Sequence, residues 1–565
     1  MVSISLGVPA RWRPVLRMES VVLIVLAWLI ALLNGPWWHG SLAGRDWSSP
    51  SSWLFVACTS VALTALHFAL VAPFANRWTV RPLLSVLVIA SAAAAYYMRT
   101  YAVLIDPAMI RNVIETDTHE ARELLSWDMV GWVTLGSALP LAFIWWVRIE
   151  RRKWTRALLV RTASVVGALV VAVAAVLPVN RDLTSMMRNH REMRYLVTPG
   201  NLIWGFATTS AGSVRDVNAP REPVGSDARL VHVALKTDKR RVFVLVVGET
   251  ARAANFSLLG YSRQTTPELA KLDVIPFRDV TSCGTSTEVS VPCLFSEWGR
   301  QDYDERRIRN SEGLLDVLAR AGYAVKWLDN QSGCKGVCRG SGVEYEKLGP
   351  DFAPDLCHGD ECFDAILVRR LEAELARVEN ETHRDTVLVL HMMGNHGPAY
   401  FRRYPPEFRR FTPDCATAEL RDCTREQVVN AYDNAILYTD HVLAGMVNAL
   451  QARAGTIDSA LLYVSDHGES LGEGGLYLHG LPYSIAPDTQ THVPMITWLS
   501  PGFVADEGLS TRCVSERGGE PLSHDNIFHS VLGLMDVQTR AYRQDRDLFA
   551  NCRLPLTDKY ASATP

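Results

Sequence analysis

The sequence predicts an α-helical membrane domain of five transmembrane helices followed by an α/β domain with a parallel sheet covered on both faces. Three observations carry this. Apolar stretches of membrane-spanning length crowd the first 180 residues and then stop. Beyond them, Val/Leu-rich runs of strand length alternate with helix-like segments. Metal-capable side chains follow directly on several of those runs. At 565 residues the chain exceeds one ordinary core, and a formal net charge of -3 with 21% charged residues argues against a nucleic-acid binder.

A helix crosses the hydrocarbon core in roughly 20 apolar residues. Residues 20–38, 53–74, 82–98, 129–147 and 162–177 meet or approach that length, and Arg161 can snorkel at the base of the fifth stretch. No secretory cleavage site is evident, so the first stretch reads as a retained anchor. Basic residues cluster before the first span (Arg11, Arg13, Arg17), between the second and third (Arg77, Arg81), and between the fourth and fifth (Arg148, Arg151, Arg152, Lys153, Arg156). The positive-inside rule puts those loops in the cytoplasm. An odd number of spans then places everything after residue 177 outside.

Cysteine usage tests the same compartment independently. Of 11 cysteines only Cys58 sits in a span, and the other ten fall in the globular part, eight of them in close sequence pairs. Even number and local spacing suit disulfides in an oxidising compartment such as the periplasm. A zinc-thiolate site at Cys334 and Cys338 or at Cys357 and Cys362 is the weaker reading, because the spacings lack CxxC pairs.

The organisation expected is a membrane domain over 1–178, an interfacial bridge and linker over 179–235, and a catalytic domain over 236–565. Within the first, the external loop 99–127 contains DPAMIRNVIETDTHEARELL, whose Asn112, Thr116 and Glu120 share one helix face. On spacing alone that face reads as a solvated surface. Residues 179–206 mix Arg and His with aromatic and apolar residues and read as an amphipathic bridging helix. The polar run 213–238 contains Pro220 and Pro223, as a linker would.

In the catalytic part, RVFVLVVGE, YAVKWLDN, TVLVLHMMGNH, SALLYVSDHGE and HVPMITWLS are the strand candidates. Ligands of such sheets bind beyond the carboxyl ends of the strands. There stand Glu249, His396, Asp466 and His467, hard and borderline ligands that suit zinc, with manganese not excluded by type. A phosphoryl-transfer enzyme of this design also needs a nucleophile. The stretch TSCGTSTEVSVPC offers five hydroxyls between Thr281 and Thr287, and spacing does not choose among them. His391 and His492 lie beside strands and read as packed residues; His524 and His529 fall in a carboxyl-terminal helix and receive no role.

The pieces GETARAANFSLLGY, CGTSTEVSVPC, LDNQSGCKGVC, HMMGNHGPAYFRRYP, SDHGESLGEGGLYLHGLPY and TQTHVPM resemble those of the phosphoethanolamine transferases of Gram-negative bacteria, which include the mobile colistin-resistance enzymes. The resemblance covers nearly the whole chain. It implies an alkaline-phosphatase/sulfatase-like fold for the outer domain, and one tightly bound Zn2+ held by Glu249, Thr285, Asp466 and His467. It also implies Thr285 as the nucleophile that becomes covalently modified. His396 and His479 match a second catalytic and substrate-binding site, for phosphate or another zinc. Ser332 and Lys335 match residues that contact phosphoethanolamine, and Asn112, Thr116 and Glu120 match a donor-binding segment. Gln331 stands where some relatives carry Asn. The implied partners are phosphatidylethanolamine as donor and lipid A as acceptor, in the inner membrane, with the chain acting as a monomer. Transfer would lower surface negative charge and give polymyxin resistance. Sister acceptors, the lipopolysaccharide core or a periplasmic glucan, and a hydrolase of the same fold, are the competing activities. The expected disulfides are Cys283–Cys293, Cys334–Cys338, Cys357–Cys362, Cys415–Cys423 and Cys513–Cys552.

Overall fold

The computed structural model describes residues 13–115, 124–216, 221–231, 239–380 and 384–553. It separates into two compact units, Met1–Ile114 with Leu125–Ala211, and Glu115–Leu124 with Gly212–Pro565.

In the first unit α1 (Met18–Trp28) passes through a π-helical turn, Leu29–Leu33, into α2 (Gly35–Leu42). The expected first span is therefore bent, by 61°. Asn34 accounts for the bend: its buried amide donates to Leu29 O and Thr198 O at 2.9 Å each and accepts from Thr198 N at 2.7 Å. Backbone groups released at the break are thereby satisfied inside the unit, which hydrocarbon demands.

The remaining helices are α3 (Pro50–Val71), α4 (Val80–Thr100), α5 (Pro107–Glu115), α6 (Trp127–Trp146) and α7 (Trp154–Val176). Four helices among the described residues are long and apolar enough to cross a membrane, and the bent pair makes a fifth when counted as one span. The last begins at Trp154 rather than 162, because Ala157, Leu158, Leu159 and Val160 continue the apolar pattern through Arg156 and Arg161. The bridging segment is not one helix. It breaks into α8 (Asn180–Asn189), a 3-10 stretch Arg191–Leu196 and α9 (Gly200–Asp216), because Pro199 cannot donate and disfavours a helical Thr198.

The second unit is built on a seven-stranded sheet of β1 (Arg240–Gly248), β2 (Ile275–Phe277), β3 (Ala324–Asp329), β4 (Val343–Lys347), β5 (Thr386–His391), β6 (Ile457–Ser465) and β7 (Met495–Leu499). The order is β2-β7-β6-β1-β5-β3-β4. Strands β6, β1, β5, β3 and β4 are parallel, while β7 runs antiparallel to β6 and β2 antiparallel to β7. Alternate residues of β1 feed opposite cores. Val242, Val244 and Val246 pack with α12 (Ala365–Asn380) and α13 (Arg425–Gln451). Phe243, Leu245 and Val247 pack with α10 (Thr287–Leu294), α11 (Leu314–Ala321) and α14 (Ile527–Leu534).

Covering both faces forces the central strands β6, β1, β5 and β3 to be largely apolar, which is why they are legible as continuous runs. Part of the expected linker folds onto this unit: Val224 is buried, Arg221 pairs with Asp316 at 2.6 Å, and Arg229–Leu230 pairs with Val537–Gln538. All five expected disulfides are formed, and Cys58 is the free cysteine.

Candidate active site

The parallel strands β1 and β6 are neighbours and end in register, Gly248 beside Ser465. The residues that follow, Glu249 and then Asp466 with His467, are therefore delivered to one spot. Their ligand atoms all lie within 4.8 Å of one another, and all three side chains are fully buried. His467 Nε2 stands 3.4 Å from both Glu249 Oε1 and Asp466 Oδ2. Its other nitrogen donates to Gly468 O at 2.9 Å, which turns Nε2 toward the carboxylates.

Burial would lower the His467 pKa, but Asp466 and Glu249 outweigh it and push it up to about 10. Burial and the Glu249 charge raise Asp466 to about 6. Glu249 resists the upward push of burial and is held well below the usual carboxylate range by its bond to His467. The set thus favours positive charge at a fully buried position. Asp466 Oδ2 is buried and receives no hydrogen bond among the described residues. Two carboxylates, one imidazole and an unsatisfied buried oxygen fit a divalent metal.

Two hydroxyls reach this set: Thr250 Oγ1 donates to Glu249 Oε1 at 2.5 Å, and that of Thr287, from the hydroxyl-rich loop, approaches both Glu249 and His467. Thr287 Oγ1 lies 3.0 Å from Glu249 Oε2, 3.2 Å from Oε1 and 3.4 Å from His467 Nε2. Thr287 is the first residue of α10, after the extended Ser286, so it also sits at the positive end of a helix. Thr285, expected to be the nucleophile and a metal ligand, turns elsewhere and donates to Leu481 O at 2.6 Å. The correction has a simple cause. Both threonines belong to one hydroxyl-rich loop, and the backbone path through Ser286, unreadable from residue type, decides which faces the metal set.

Two further histidines approach. The His479 ring centre is 4.2 Å from that of His467 and 6.2 Å from that of His396. His479 Nδ1 donates to Glu469 Oε2 at 2.8 Å, and the buried Tyr400 hydroxyl donates to Glu469 Oε1 at 2.5 Å. A Tyr400–Glu469–His479 chain therefore fixes which nitrogen of His479 faces the site. Burial pushes His396 down to about 3 despite the nearby Glu249 charge, so its imidazole is neutral. The His396 loop is pulled against Glu249 by the Asn395 N–H bond to Glu249 O at 3.0 Å. Gly394 makes this possible: at its φ of +53° a Cβ would lie 2.6 Å from Glu249 O.

Ser332 and Lys335 come together in the loop after β3, with Lys335 Nζ 2.7 Å from Ser332 Oγ. Gln331 joins them to the metal set, since Ser332 Oγ donates to Gln331 Oε1 at 2.6 Å and Gln331 Nε2 donates to Glu249 Oε2 at 3.2 Å. Asp329 anchors the loop by accepting from Gly333 N at 2.9 Å and from His391 Nδ1 at 2.9 Å. His391 is accordingly a buried support. His492 is also structural and donates to Arg278 O at 2.9 Å.

Asn112 lies half-buried on α5 in the other unit, and Thr116 and Glu120 fall outside the described residues.

Sequence reasoning left His524 without a role. Its Nδ1 accepts from Cys283 N at 3.2 Å and its Nε2 donates to Ser465 O at 3.0 Å, clamping the hydroxyl loop to the strand that delivers Asp466. Tyr400 and Glu469 were likewise missed. A Glu two residues past the Asp-His pair was the available signal.

A mostly parallel sheet whose strand ends carry a buried Glu/Asp/His set, able to hold a metal ion and facing a threonine at a helix start, defines a domain suited to phosphoryl or sulfuryl transfer, here with a multi-helix membrane unit. The sulfatase family model matches residues 241–537, and the phosphoethanolamine transferase EptA/EptB model matches 63–212. The chain is 38% identical over 548 residues to phosphoethanolamine transferase EptA of Salmonella typhimurium, covering 96% of this chain and 98% of that protein. It is 35% identical over 480 residues to phosphatidylethanolamine transferase Mcr-1 of Escherichia coli, covering 84% and 86%. The structure of the integral membrane protein lipooligosaccharide phosphoethanolamine transferase A from Neisseria meningitidis matches with a TM-score of 0.88 and 35% identity, over 96% of this chain and 100% of that one. The chain belongs to the phosphoethanolamine transferase family.

Proposed function

We propose that this chain is a zinc-dependent inner-membrane enzyme that moves phosphoethanolamine from phosphatidylethanolamine to a phosphate of lipid A through a covalent adduct on Thr287. The carrying observation is the Thr287 hydroxyl 3.0 Å from Glu249 and 3.4 Å from His467, in a chain of this family. The lipooligosaccharide named for the Neisseria relative supports lipid A as acceptor. Five disulfides support a periplasmic catalytic unit.

Glu249, Asp466, His467 and Thr287 would hold one zinc ion. When bound, it supplies Lewis-acid stabilisation of the threonine alkoxide. In the first half-reaction Thr287 Oγ1 gives up its proton to His479, whose ring centre lies 4.2 Å from that of His467, and bonds to the phosphorus of the donor. The phosphorus–oxygen bond to diacylglycerol breaks, and the leaving oxygen takes a proton from His479, whose Nδ1 is held by Glu469. In the second half-reaction an oxygen of a lipid A phosphate gives its proton to His479 and bonds to the same phosphorus, the Thr287 Oγ1–phosphorus bond breaks, and the threonine regains that proton from His479.

His396, neutral at physiological pH, and His479 bind phosphoryl oxygens in turn, while Lys335 and Ser332 orient the headgroup. Asn112, Thr116 and Glu120 are proposed to hold the donor. The added ammonium offsets a negative charge of the acceptor and so weakens binding of polycationic polymyxins. Lipid A from cells expressing the chain should gain phosphoethanolamine, and cells expressing Thr287→Ala should not. An unmodified lipid A beside a decorated core would overturn the choice of acceptor.

A further inference from the structure

We propose that the membrane unit carries a binding site for one anionic phospholipid on its arginine-rich side, formed where α1, the α3–α4 loop and the base of α7 meet. That side is cytoplasmic by the positive-inside rule. A cavity of about 550 Å³ opens there, of a size suited to a lipid headgroup. Trp154, Ala157, Leu158 and Arg161 line it from one face of α7, at the i, i+3, i+4, i+7 spacing of a single helical stripe.

The charges inside do not balance. Arg77, Arg152 and Arg161 face Glu19 and Glu150. Arg152 uses both carboxylates, at 3.4 Å from Glu19 and 2.7 Å from Glu150. Arg161 has only a 3.9 Å approach to Met18 Sδ, and its buried Nε makes no hydrogen bond among the described residues. Arg77 stacks its guanidinium 4.4 Å over the Trp78 ring. One positive charge is thus left at headgroup depth, where a guanidinium is costly until an anion accepts from it. A phosphodiester supplies one negative charge and the paired oxygens that guanidinium favours.

The surroundings select a lipid over a free ion. Trp78 and Trp154 are 74% and 78% exposed, as expected of rings at the membrane–water interface, and Leu158, 53% exposed, offers an apolar path for an acyl chain. The headgroup that completes the site carries a net negative charge, as phosphatidylglycerol does; a zwitterionic headgroup leaves the arginine uncompensated.

The test is native mass spectrometry and thermal unfolding of the full chain in nanodiscs of phosphatidylcholine with or without phosphatidylglycerol. One phosphatidylglycerol should stay bound and raise the unfolding temperature. Retention should fall about tenfold in Arg77→Gln/Arg161→Gln and be unchanged in Arg148→Gln, an exposed arginine outside the cavity. Leu158→Trp, which fills the cavity mouth and keeps every charge, should also displace the lipid. Equal retention of phosphatidylcholine, full retention in both cavity variants, or displacement by millimolar inorganic phosphate would overturn the proposal.

Discussion

Thr287 Oγ1 lies 3.0 Å from Glu249 Oε2, while Thr285 Oγ1, two residues earlier, donates to Leu481 O at 2.6 Å. In the proposed mechanism one loop therefore holds a reactive hydroxyl, Thr287, and a structural one, Thr285. Thr287→Ala should abolish transfer, by more than about 10^4-fold. Thr285→Ala removes one buried hydrogen bond of about 1 kcal/mol and should leave activity within roughly tenfold. Transfer by the purified variants, measured as modified acceptor per enzyme, separates the two residues.

Gln331 bridges Glu249 to Ser332, at 3.2 Å and 2.6 Å. Removing an outer partner of a ligand weakens metal binding by about 10–100-fold. Gln331→Ala should therefore lower zinc affinity by that factor in competition with a chelator, and Asp466→Asn should leave the purified protein without stoichiometric zinc. Full zinc retention in Asp466→Asn would place the metal elsewhere.

The Tyr400–Glu469–His479 chain predicts a catalytic effect at a distance. Tyr400→Phe keeps the ring packing and removes the 2.5 Å bond to Glu469. The turnover rate should fall about tenfold with KM little changed, and the pH–rate profile should shift, because His479 loses part of its fixed orientation. Glu469→Gln should cost more. An unchanged profile in both variants would reduce the chain to packing.

Much of this arrangement is legible in the residues. Four of the five parallel strands, β6, β1, β5 and β3, lie between two cores and read as largely apolar runs, and Glu249, Asp466 and His467 follow two of those runs directly. β4 (VEYEK) is an edge strand with polar side chains, and β2 has three residues, so neither carries a hydrophobic signature. HVPMITWLS reads as a strand, but the antiparallel direction of β7 depends on a chain reversal after His467 that no local pattern announces. Choosing Thr287 over Thr285 needs the dihedral angles of Ser286, and the bend at Asn34 needs Thr198, 164 residues away.

Acid should destabilise the catalytic unit in a defined window. Burial pushes His524 and His529 from 6.5 to about 4 each, and both side chains are sequestered from solvent. Unfolded chains protonate these histidines near pH 6.5, whereas the folded protein keeps them neutral down to about 4. Their contribution is therefore fully present above pH 6.5 and is lost as pH falls toward 4, at up to about 1.4 kcal/mol per pH unit for each group. Urea unfolding between pH 7 and 4 measures this. His524→Gln should flatten the dependence while lowering stability at pH 7.

The central claim is that Thr287 carries phosphoethanolamine between donor and acceptor. Peptide mapping by mass spectrometry of the zinc-loaded protein, incubated with phosphatidylethanolamine and no acceptor, tests it most directly. The expected result is a phosphoethanolamine increment on Thr287, discharged when lipid A is added. An increment on Thr285, or none on either threonine while transfer proceeds, would contradict it.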